Sequence, residues 1–127
     1  MRNLPYSKQT ITKSDINAVV KVLRSPWLTQ GPAIKKFEDA LAHYCGARYA
    51  VAVSSGTAAL HIAYLAASVC EGDEVITTPL TFAATSTMVL ACRGTPVFCD
   101  VRLDTGNIDE TRIERHISAK TKMIVPV

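Results

Sequence analysis

The chain has 127 residues, 48% of them apolar, and carries a net charge of +3. That is enough apolar material for the core of one ordinary domain, which argues against disorder. The fourteen basic residues are scattered from Arg2 to Lys122 without a block of like charge, so a mixed solvated surface is expected, with no nucleic-acid and no membrane partner.

In chain order, residues 1–12 read as an extended arm containing Pro5. Thr12 or Ser14 can cap a helix over 13–24, where Ile16, Val19, Val20 and Leu23 share one face. Ser25-Pro26 stops it, and 27–31 is a loop. Pro32 suits the opening of a second helix, 33–44, with Ile34, Phe37, Leu41 and Tyr44 on its face and Gly46 just past its end. The segment 49–53 reads as a short apolar strand. Residues 57–69, apolar all round, suit a buried helix. A strand over 74–78 follows, then a helix over 82–92 capped by Thr81. Next come a strand over 96–99, a turn at 104–107, a helix over 109–118 with Ile113 and Ile117 inward, and a fourth strand over 122–127. Strands that alternate with helices imply α/β units and a mostly parallel sheet.

Cys45, Cys70, Cys92 and Cys99 form no Cys-x-x-Cys pair, and no histidine pair stands at ligand spacing, so no metal is expected. The thiols read as buried fillers in a reducing, cytoplasmic protein. No apolar run is long enough to span a bilayer, and no secretory h-region opens the chain. The end, Met123 to Val127, reads as a buried strand without a cap, the pattern of a truncated domain.

Three segments can carry chemistry. Val53 to Leu60 joins a strand to a helix through Ser55, Gly56, Thr57 and Ala58. The first amides of a helix lack internal partners and favour a phosphate; Ser and Thr there can equally be plain caps. Thr77 to Thr85 makes a second strand-to-helix joint, and places Phe82 where it can stack on a planar ligand or simply fill the core. Leu28 to Pro32 offers polar groups, or only an interhelical turn. Asp100 follows a strand and either lines a site or shapes a turn. His43, His61 and His116 share no catalytic pattern. No Gly-x-Gly-x-x-Gly or Walker motif occurs.

The order and spacing of Leu28-Thr-Gln-Gly-Pro32, Ser54-Ser-Gly-Thr-Ala-Ala-Leu60, Gly72-Asp-Glu-Val-Ile76, Thr78-Pro-Leu-Thr-Phe-Ala-Ala-Thr85, Gly94-Thr-Pro-Val-Phe98, Gly106-Asn-Ile-Asp109 and Thr121-Lys-Met-Ile-Val125 resemble the DegT-type sugar aminotransferases of fold type I. The resemblance runs through nearly the whole chain. It implies a three-layer α/β large domain, with an arm, helix and substrate-side loop in 1–31 and an incomplete cofactor domain in 32–127. It further implies pyridoxal 5'-phosphate (PLP) as cofactor, with Ser55, Gly56, Thr57 and Ala58 about its phosphate and Phe82 on its ring. Tyr6, Thr29 and Gln30 would meet a nucleotide-sugar substrate. Glutamate is the implied amino donor, and a homodimer the implied assembly. Within the family, the segments are most similar to the pseudaminic-acid branch, which implies a UDP-linked 4-keto-6-deoxy sugar. The family's Schiff-base lysine would lie beyond residue 127, so these residues alone are expected to be inactive and prone to self-association. Dehydratases that carry histidine at that position, or a phosphate-binding module without catalysis, are the alternatives.

Overall fold

The computed structural model describes Pro5 and residues 7–127, which divide into two compact units, 1–52 and 53–127. The first unit holds α1 (Lys13–Leu23) and α2 (Pro32–Cys45). Of the two expected caps Thr12 is the one used: its hydroxyl accepts from Asp15 N, while the Asp15 carboxylate accepts from Thr12 N at 2.7 Å. Pro32 opens α2, and Gly46, at φ 62°, ends it in the left-handed conformation that glycine tolerates best. Lys35 pairs with Asp39 one turn along.

The expected strand at 49–53 does not form. A strand exists only as part of a ladder, and none of the three strands pairs with this segment. The Ala52 amide instead donates to Glu38 on α2 at 2.9 Å, which ties 49–52 to the first unit. The first compact unit ends with Ala52.

The second unit runs α3 (Gly56–Ala66), β1 (Glu74–Thr77), α4 (Ala84–Ala91), β2 (Thr95–Phe98), α5 (Glu110–Ile113) with a 3-10 turn to His116, and β3 (Thr121–Val125). The sheet is parallel throughout, in the order β2-β1-β3. Successive residues of β1 point to opposite faces. Val75 joins Tyr64, Val69, Val89 and Cys92 in one core, under α3 and α4. Ile76 joins Cys99 and Ile108 in the other, with Ile113 packed against it. The sheet is thus the middle of three layers.

In β2 the amides of Thr95 and of the following Cys99 donate to Asp73 O and Thr77 O, towards β1. Pro96 lies at the alternate, outward position, where its missing N–H costs the ladder nothing. α3 and α4 end alike. Ser68 and Arg93 take positive φ, and the next amides, Val69 and Gly94, donate back to Tyr64 O and Val89 O. Gly94 is needed at its place: a Cβ would come within 2.8 Å of Val69 Cγ1 and 3.1 Å of Val89 Cγ1.

Several expectations of burial fail. α3 buries only Tyr64 completely and leaves Ile62 and Leu65 exposed, because an all-apolar helix on one side of a sheet cannot hide its outer face. α4 begins at Ala84, not 82, and Thr81 bonds the Thr85 hydroxyl rather than capping the helix. The last predicted helix stops early, and Ile117, in extended conformation beyond the 3-10 turn, is exposed. Cys92 and Cys99 are buried, but Cys45 and Cys70 are exposed; all four are free thiols.

Asp109, nearly buried, caps α5. Its carboxylate accepts from the Thr111 hydroxyl at 2.6 Å and from Thr111 N at 3.1 Å, and pairs with Arg112 at 2.8 Å. The Thr111 bonds foremost hold its carboxyl below the usual carboxylate range. The folded state therefore binds fewer protons here than the unfolded chain. This contribution is full above the unfolded carboxyl pKa, about 4, and is lost as pH falls through the folded value. Asp109→Asn is expected to lower stability at neutral pH and to flatten its acid dependence, as read by urea unfolding at several pH values. A variant with the same acid slope as the parent chain would refute this.

Candidate functional site

The short return from α3 through 67–73 delivers the chain into the amino end of β1, and the return from α4 does the same for β2. Both helices therefore run against the strands, with their amino ends towards the carboxyl edge of the sheet, where ligands of open α/β sheets bind.

At the start of α3, Ser55 is the N-cap. Its hydroxyl accepts from Ala58 N at 3.1 Å, and its carbonyl accepts from Ala59 N at 3.0 Å. Among the described residues the amides of Gly56 and Thr57 have no protein acceptor. Gly56 is exposed, and a Cβ on it would meet nothing within 4 Å, so the approach beside its Cα is open. Two free donors, an open approach and the positive end of a helix dipole make a cradle that fits a phosphate. Ser55, though it accepts from Ala58, keeps its own O–H to donate.

Phe82 sits on the turn between β1 and α4, with its side chain 79% exposed. It is not a core residue, so the stacking option survives. The turn beneath it is well held. Thr77 and Thr78 are fully buried; the Thr77 hydroxyl donates to Val125 O at 2.9 Å, and the Thr78 hydroxyl accepts from Leu80 N at 3.3 Å.

Thr29 and Gln30 belong to the first unit and are exposed. Gln30 takes φ 50°, a conformation that costs energy in a non-glycine residue. Gly31 follows so closely on Trp27 that a Cβ would lie 2.9 Å from Trp27 Cβ. Tyr6 lies outside the described residues. Asp100 is exposed, accepting from Val101 N and pairing with Arg112 at 3.4 Å.

All seven lysines are exposed. Lys120 and Lys122 stand at the amino end of β3, where Glu74 N donates to Lys120 O at 2.9 Å, on the edge opposite the cradle. Among the described residues no cluster of His, Cys, Asp or Glu is placed to hold a metal, and no helix is long and apolar enough to cross a membrane. Sequence reading missed Tyr64. A phenol in an otherwise apolar buried helix needs a partner, and Tyr64 donates to Thr85 O at 2.7 Å.

Comparison with known proteins adds to this geometry. Residues 9–127 match the model of the DegT/DnrJ/EryC1/StrS aminotransferase family. The chain is 45% identical over 124 residues to the spore coat polysaccharide biosynthesis protein SpsC of Bacillus subtilis, covering 98% of this chain and 32% of that protein. A Streptococcus pneumoniae protein named as a sugar aminotransferase, solved in its PLP form, matches with a TM-score of 0.87 at 37% identity, over 97% of this chain and 31% of its own. Helicobacter pylori PseC, an aminotransferase involved in the biosynthesis of pseudoaminic acid, matches with a TM-score of 0.86 at 38% identity, over 98% of this chain and 34% of its own. The chain thus spans about a third of the length of the relatives it matches.

Proposed function

The chain belongs to the DegT/DnrJ/EryC1/StrS aminotransferase family, and from that premise we propose that it supplies the phosphate cradle and ring platform of a PLP-dependent sugar aminotransferase. One observation carries the reading: among the described residues the Gly56 and Thr57 amides at the start of α3 have no protein acceptor, and the space beside the Gly56 Cα is open. When bound, PLP supplies the electron sink for amino transfer. The protein's own part is to bind and orient. Gly56 and Thr57 hold the phosphate through their amides, and the hydroxyls of Ser55 and Thr57 donate to it. The Ala58 amide, taken up by Ser55, contributes by fixing the shape of the cap. Phe82 covers the ring and keeps water from that face. Thr29, Gln30 and Tyr6 contact the sugar nucleotide.

The finer reading is a UDP-linked 4-keto-6-deoxy sugar, aminated from glutamate by a cytoplasmic homodimer in a pseudaminic-acid-type pathway. It is supported by the sequence segments shared with that branch and by the match to PseC. The four free thiols fit a reducing compartment. These 127 residues alone do not transaminate, a reading supported by the exposure of every lysine and by the place of Lys120 and Lys122 at the wrong edge.

The test is direct. Full-length protein carrying this segment should purify yellow, lose its colour with hydroxylamine, and transfer the amino group of glutamate to a 4-keto sugar nucleotide. Colourless protein that takes up no added PLP would overturn the proposal. A measurable turnover by residues 1–127 alone would overturn its last part.

A further inference from the structure

Phe82 is too exposed to be located by packing. Its place relative to the cradle must come from the backbone of its turn, and that backbone converges on Thr85. Thr85 N donates to Phe82 O at 3.1 Å, and the Thr85 hydroxyl bonds that of Thr81 at 2.9 Å. The third bond reaches across to α3: the Tyr64 phenol donates to Thr85 O at 2.7 Å, joining residues 21 apart in sequence. Tyr64 is fully buried and Thr85 is 5% exposed, so water cannot replace this bond. A carbonyl has a second lone pair, so Thr85 O can serve both the α4 ladder and the phenol. Burial also pushes the Tyr64 phenol up from its ordinary range, which keeps it protonated as a donor.

We infer that Tyr64 is a positioning residue of the cofactor site: its bond to Thr85 fixes the spacing between the cradle on α3 and the turn that carries Phe82. The inference rests on the PLP reading above. Tyr64 touches no ligand and acts only through Thr85 and, beyond it, Phe82.

The experiment is a double-mutant cycle in the full-length protein, with Tyr64→Phe and Phe82→Leu singly and together. PLP affinity of the apoprotein, visible circular dichroism of the bound cofactor and thermal stability are read for each. Tyr64→Phe keeps the ring and removes only the donor. It is expected to weaken PLP binding by about 3–10-fold, the worth of one hydrogen bond, and to change the dichroism per mole bound. In the Phe82→Leu background it should change affinity little, because the ring it positions is gone. Its effect on melting should be the same in both backgrounds. An unchanged affinity in Tyr64→Phe, with the parent protein binding PLP normally, would overturn this inference and leave the proposed function standing. So would an equal loss of affinity in both backgrounds. Failure of the parent protein to bind PLP would overturn the proposed function and the inference with it.

Discussion

Gly56→Asp is expected to cut PLP affinity by about a hundredfold or more while the fold stands, because placing like charges together costs several kcal/mol. The two halves of this expectation have separate causes. A Cβ on Gly56 meets no atom within 4 Å, so the new side chain enters open space. Glycine is among the poorest helix formers, and a carboxylate in the first turn of a helix gains about 0.3–1 kcal/mol from the dipole. The melting temperature should therefore hold or rise. In the cradle, however, the carboxylate occupies the field meant for the cofactor phosphate. Gly56→Asn, of similar size and uncharged, separates bulk from charge and should lose much less. Thermal melts and PLP titrations of both variants decide the matter. An aspartate variant that binds PLP as the parent does would place the phosphate elsewhere; one that melts well below the parent would show that the space is not open.

Gly94→Ala is expected to destabilise the second unit by about 2–3 kcal/mol, near the upper end of overpacking costs. The added methyl would press on Val69 and Val89, two walls of the α3/α4 core, and stand 3.4 Å from the backbone oxygen of Asp73. All three neighbours are fixed by the core or by the start of β1, so none can yield cheaply. Val69→Ala alone leaves a cavity and is itself destabilising. In the Gly94→Ala background it removes the worst clash, so the double variant should be less damaged than the sum of the two, with a coupling of about 1 kcal/mol or more. Urea unfolding measures this, and strictly additive losses would show that the crowding is absorbed elsewhere.

Both glycines were visible in the sequence, but for partial reasons. Gly56 stands out because small residues between a strand-like and a helix-like segment suggest a phosphate approach. Gly94 enters the sequence reading only as the first residue of the Gly94–Phe98 segment. Its close approach to Val69 joins positions 25 apart, 94 minus 69, which no local pattern reveals. The same division holds across the fold. α1, α2, the Pro32 start, the Gly46 stop and the strands at 74, 95 and 121 follow from period and punctuation, which are local. The segment 49–53 has an equally apolar pattern, yet a strand needs a neighbour and it has none among the described residues. Tyr64 was hidden in a run of apolar residues, and only its distant partner Thr85 shows what it does. At the candidate site, motif and resemblance nominate residues, whereas the bonds that hold their turns, such as Tyr64 to Thr85, join distant positions that no motif marks.

The outward position of Pro96 gives the sheet a direction of growth. On the free side of β2 the alternate positions are Pro96 and Phe98, so a newcomer would find one amide donor where two would stand in an ordinary strand. β3 has no proline within Thr121–Val125 and offers its full complement. The β3 flank therefore offers an added strand a fuller set of amide donors than the β2 flank does.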